Sequence, residues 1–114
     1  MIYSARPDRT PEMKNPHGVT ARKLLDREYA QAVHLTLAPG QSLIPHVTAT
    51  DVIFYVLEGE GVVDIGEHSL KVAADTLVES PARVPHCLRN TGGGDFRVLV
   101  LKTPRPTEPA EFLK

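Results

Sequence analysis

The stretch PGQSLIPHVTATDVIFYVLEGEG, Pro39–Gly61, decides the fold. A Pro-Gly turn opens it, a single histidine stands at His46, and Val52–Leu57 is apolar at every position before a Glu-Gly turn closes it. Alternate side chains of a strand point to opposite sides of a sheet, so an unbroken apolar run of this length predicts a strand covered on both faces. Turn, histidine, buried strand and turn is the order of a strand pair that carries a metal site. One histidine cannot hold a metal, and the rest of the chain must say what it is for.

The same pattern repeats on either side. In YAQAVHLTL, Val33, Leu35 and Leu37 share one face and Ala32, His34 and Thr36 the other, which predicts a half-buried strand. Downstream, VVDIG and SLKV flank the charged turn Glu67-His68 as a hairpin, and ADTLVES gives a further strand. The proline-bounded PARVP leads into the short strand HCLRN, and the glycine-rich TGGGD leads into FRVLVLK. About eight short strands with turn signals roughly every ten residues, and no helical pattern, predict an all-β sandwich or closed barrel.

The 114 residues predict a single domain, 1–114, with a core over about 19–103. Residues 1–18 hold three prolines and 104–114 three more, so both ends are expected as extended arms, with Phe112 and Leu113 docking. Thirteen basic and fourteen acidic residues are interspersed, leaving no basic stripe for nucleic acid and no patch for an anionic membrane surface. No apolar segment has the length of a membrane span, and the charged, proline-bearing N-terminus is unlike a signal peptide. A cytoplasmic protein is expected, and the single Cys87 fits a reducing compartment. Cys87 and His86 are adjacent on one strand and face opposite ways, which predicts a packed, inert thiol.

The chain resembles the cupin family, the small RmlC-like jelly-roll barrels. The first motif of that family runs Gly, five residues, His-x-His, three or four residues, Glu, six residues, Gly. Gly40, His46, Thr48, Val52 and Gly59 stand at those positions. The second runs Pro-x-Gly, two residues, His, three residues, Asn, usually behind a Gly-Asp; Ala74, Asp75, Pro81, Arg83, His86 and Asn90 occupy its places. The likeness spans Val33 to Lys102 and implies a single jelly-roll β-barrel. It also implies metal ligands at the two histidines and the glutamate of the first motif and the histidine of the second. Here Thr48 replaces one histidine and Val52 the glutamate, so only His46 and His86 remain.

Three readings of that pair stay open. His46 and His86, with the Thr48 hydroxyl and waters, hold a divalent metal such as Zn, Ni, Mn or Fe. Or no metal binds, and the histidines act as acid, base or hydrogen-bond partners of a small molecule, as in the metal-free sugar epimerases of the same superfold. Or the pair is structural, in a dimer without catalysis. Thr48, Val52, Phe54 and Leu88 are expected to line the pocket. Thr and Val leave it apolar and uncharged, which favours an uncharged or aromatic ligand unless Arg83 or Lys102 reaches in. Whether the pocket turns over a substrate stays open.

The remaining polar residues are assigned away from the site. Asp51 and His34 have outward parity, His17 and His68 are expected in solvent, Lys102 is expected to snorkel to water, and Asn90 to end its strand as a turn residue. Ile53, Tyr55 and Leu57 need cover on the outer face, which predicts a homodimer.

Overall fold

The computed structural model describes residues 1–113, so the last residue of the C-terminal arm lies outside the described residues. Ten strands follow in order: β1 (Thr20–Arg27), β2 (Ala30–Leu37), β3 (His46–Val47), β4 (Val52–Glu58), β5 (Glu60–Ile65), β6 (His68–Ala73), β7 (Leu77–Ser80), β8 (His86–Arg89), β9 (Phe96–Lys102) and β10 (Glu111–Phe112). They form two five-stranded antiparallel sheets, ordered β1-β2-β9-β4-β7 and β10-β3-β8-β5-β6. This is the all-β architecture expected from the spacing, in the jelly-roll form that the resemblance implies. The sheets face one another across one core and, among the described residues, are not hydrogen-bonded into a closed cylinder.

The alternation in β4 shows how the core is filled. Val52, Phe54 and Val56 are buried, Ile53 and Tyr55 half-buried, and Leu57 exposed. Leu37, Phe96 and Val98 join them from the same sheet, and Val63, Val72 and Leu88 from the other. Each such side chain contributes about 1.5–3 kcal/mol when taken from water. Among the described residues, no helix is long and apolar enough to cross a membrane.

The N-terminal arm crosses the outer face of the first sheet. It leaves its extended path at a 3-10 turn over Pro7–Arg9 and at a turn over Pro16–His17. Arg22 of β1 donates to the Thr10 carbonyl and pairs with Glu12 at 3.5 Å, and the Tyr3 hydroxyl donates to the Leu24 carbonyl. This docking buries His34 on the outer face of β2. It has the outward parity expected, but it is only 3% exposed in a cleft shared with Arg6, Glu12 and Arg22. Its Nε2 accepts from the Arg97 guanidinium at 3.1 Å. Leu57 and Leu77 stay exposed, so the arm does not cover the whole outer face.

Gly59 closes the turn after β4 with φ +84°, and a Cβ there would collide with the Asp95 carbonyl oxygen. Gly59→Ala is therefore expected to lower stability by at least about 1–2 kcal/mol, since left-handed backbone strain and a backbone clash act together. Denaturant unfolding measures it, and an unchanged midpoint would contradict the strain.

Candidate functional site: a histidine pair in an apolar cavity

Strands β3 and β8 pair antiparallel with His46 directly opposite His86. The rings meet edge to face with centroids 4.5 Å apart, and their Nε2 atoms lie 3.1 Å from each other. The surrounding bonds assign the protons. His46 Nδ1 lies 2.8 Å from the Ile44 carbonyl oxygen, which can only accept, so the neutral ring carries its hydrogen on Nδ1 and its lone pair on Nε2. His86 must then donate from Nε2 to His46, which leaves its Nδ1 to accept from the Ser80 hydroxyl at 2.8 Å. Ser80 Oγ, His86, His46 and the Ile44 carbonyl thus form one directed chain. Because Ser80 ends β7, the chain ties the two sheets together.

Neutral rings are what this setting demands. Burial, the neighbouring His46, and then Lys102 and His17 push His86 down to about 3. Burial likewise lowers His46, against the opposing pull of its bond to Ile44. The buried Thr48 hydroxyl stands 3.4 Å from His86 Nε2, but Thr48 is not among the residues that line the neighbouring cavity, which corrects its assignment as a pocket wall.

Beside the pair lies a cavity of about 190 Å³. Val33, Leu35, Val52, Phe54 and Val100 form its walls, and the Phe54 ring packs edge to face on His86 at 5.4 Å. Leu88 does not reach it. One pleat further along β8 than His86, it is sealed in the core with no exposure, which corrects its assignment as a pocket wall.

The arms complete the lining, Met13–His17 from one end of the chain and Ala110 with Phe112 from the other. His17 is therefore not the solvated arm histidine expected. Its Nδ1 accepts from the Ile44 N–H at 2.7 Å, its ring lies 5.1 Å from His46 and 5.4 Å from Phe112, and burial with His46 and Lys102 lowers it to about 4. The Ile44 peptide bonds His17 through its N–H and His46 through its carbonyl. Phe112 docks as expected, through β10 pairing with β3.

Lys102 is also corrected. It follows Val98 and Val100 onto the inner face of β9, opposite Gln31 and Val52, and its half-buried side chain lines the cavity. Arg83 does not reach in. Its guanidinium pairs with Glu108 at 3.3 Å, while its backbone holds φ +64° and its N–H donates to the Thr48 carbonyl at 2.8 Å. Asp51 faces away, accepting from the Ala82 N–H. Asn90 Nδ2 donates to the Leu37 and Gly94 carbonyls, fixing the glycine-rich turn. Cys87 is buried, donates to the Leu43 carbonyl and is raised to about 11 by burial, as an inert thiol should be. His68 is exposed.

The donor set does not fit a resident first-row metal. Such sites use three or four His, Cys or carboxylate ligands, and among the described residues no group of three could hold an ion. Val52 brings a hydrocarbon wall where a carboxylate would stand, and the two imidazoles already satisfy each other.

Sequence reasoning found His46, His86 and Thr48 through their spacing, weighed Lys102 as a residue that reaches in, and missed His17 and Ser80. A local signal for His17 did exist. Asn15 Oδ1 accepts from the His17 and Val19 N–H groups, so the Asn-Pro-His-Gly turn fixes the position of His17 ahead of β1.

Comparison with known proteins gives the fold a wider frame. The family model described as Cupin domain matches residues 33–102. No curated protein matches the chain. Among solved structures, TT1209 from Thermus thermophilus is 30% identical over 92% of this chain and 100% of its own, with a TM-score of 0.79. The polyketide cyclase RemF from Streptomyces resistomycificus is 20% identical over 100% of this chain and 87% of its own, with a TM-score of 0.84. A predicted oxalate decarboxylase from Thermotoga maritima is 23% identical over 99% of this chain and 100% of its own, with a TM-score of 0.77. The last two share the fold, and their differing descriptions show that it hosts more than one chemistry. With the match covering most of its length, this chain belongs to the cupin family.

Proposed function

We propose that this cupin binds a small, mostly apolar molecule in the cavity and moves a proton on it through the neutral His46–His86 pair, without a resident metal. The directed chain from Ser80 to the Ile44 carbonyl carries this reading. It presents one donor, His86 Nε2–H, beside one acceptor, the His46 Nε2 lone pair, within an apolar wall. A carbonyl group that parts the two rings takes the hydrogen bond from His86, and His46 is then free to accept a proton from the adjacent carbon. Ser80 and Ile44 hold the rings in the tautomers this requires. Proton transfer next to a carbonyl, as in isomerisation or tautomerisation, is the reaction class that the pair supports.

Proton magnetic resonance of single-ring ketones in D2O tests it. The protein is expected to speed exchange of the protons beside the carbonyl, and His46→Ala and His86→Ala are expected to cut that exchange by about 100-fold or more while the fold persists. Exchange at the same rate in the variants would sink the acid-base role.

A further inference from the structure

The cavity carries an unmatched positive charge that the histidine chemistry does not use. Lys102 stands on the inner face of β9 between Gln31 and Val52, and Lys14 joins the lining from the N-terminal arm. Among the described residues no acidic side chain lines the cavity, and no carboxylate lies within 4.0 Å of the Lys102 ammonium. The charge is close enough to the site to lower His17, His46 and His86. Taking an ammonium even partly out of water without a counter-charge is unfavourable, so the position is costly to the empty protein and favourable to a ligand that supplies the charge. Burial lowers the Lys102 ammonium itself, with Lys23 adding to the effect, as expected of a cation held at an apolar wall.

Size narrows the ligand further. A dry cavity of about 150 Å³ accepts one benzene-sized molecule. The 190 Å³ here suits one ring, or a branched skeleton of similar bulk, with one small polar substituent.

Building on the pocket proposed above, we infer that Lys102 binds an anionic oxygen of the ligand, which is a compact apolar monocarboxylate, its hydrocarbon body against Val33, Val52 and Phe54. Lys102 is then a specificity-determining residue, separate from the proton-transfer pair. The rest of the lining is hydrocarbon, neutral imidazole and the amides of Asn15 and Gln31, with Lys14 the one other cation.

Calorimetry on the full chain at pH 7.5 tests this with benzoate, phenylacetate and cyclohexanecarboxylate, each beside its uncharged amide. The acids are expected to bind the wild-type protein roughly 10- to 100-fold tighter than the amides, the range of a charge-assisted hydrogen bond. Lys102→Met is expected to erase that preference, and a melting temperature close to that of the wild type shows that the variant is folded. Lys102→Arg should keep most of the preference. Acids and amides binding the wild-type protein equally, or the same preference in Lys102→Met, would overturn the role of Lys102 and leave the pocket standing. Failure of both acids and amides to bind would remove the pocket reading and this inference together.

Discussion

The Thr48→His/Val52→Glu double variant is expected to take up close to one divalent cation per chain, whereas the wild-type protein is expected to carry far less than one. Both positions face the histidine pair. Thr48 Oγ1 already stands 3.4 Å from His86 Nε2, and Val52 lines the cavity beside the pair with no exposure. The two replacements restore the His and Glu that the cupin motif places there, turning two imidazoles into four ligands, one of them anionic. Without metal the new carboxylate is buried in a hydrocarbon wall, offset only by Lys102 across the strand pair, so the variant is expected to melt below the wild type in chelator. Adding metal should reverse that loss, because a ligand that binds only the folded state stabilises it. Elemental analysis and paired melts with and without chelator measure both effects. Trace metal in both proteins, and melts indifferent to chelator, would show that more than two missing ligands separates this cavity from a metal centre.

Stability is expected to be full above about pH 6.5 and to fall steeply as the pH drops toward 4. His86 titrates at about 3 and His17 at about 4 in the folded protein, with His46 also lowered, against 6.5 for an unperturbed histidine. Between those limits the unfolded chain binds more protons than the folded one, so acid favours unfolding. His86 alone contributes a slope of up to about 1.4 kcal/mol per pH unit in that window. The carboxyl of Asp64, held low by Arg89 and Ser69, loses its contribution only below its ordinary value of 3.8 and so leaves this window untouched. Denaturation midpoints between pH 7.5 and 4.5 give the slope, and His86→Gln should flatten it. A flat wild-type profile would mean that the histidines are not held neutral by burial.

The jelly roll could be read from the chain because its signals are local. Val33, Leu35 and Leu37 alternate within one strand, Gly59 marks its own turn, and His46 and His86 sit at fixed spacings within their motifs. What escaped the sequence depends on contacts between distant segments. Ser80 reaches His86 from the opposite sheet, and His17 lies near Phe112 only because both arms fold over one end of the jelly roll. Lys102 had the correct inward parity, but its depth followed from Gln31 and Val52 on its two flanking strands. Leu88 failed for a related reason, since parity says which way a side chain points and not how far along the axis a cavity extends.

The lining completed by Met13–His17, Ala110 and Phe112 separates two kinds of inheritance within one small protein. The strands fix where the histidines meet and tolerate little change. The arms, tied to those strands through His17 and Ile44 at one end and through the pairing of β10 with β3 at the other, complete the rim of the cavity. Changes in selectivity can therefore accumulate at the two ends of the chain while the chemistry between them stays the same, and a tag or trim at either terminus alters that rim before it touches the fold.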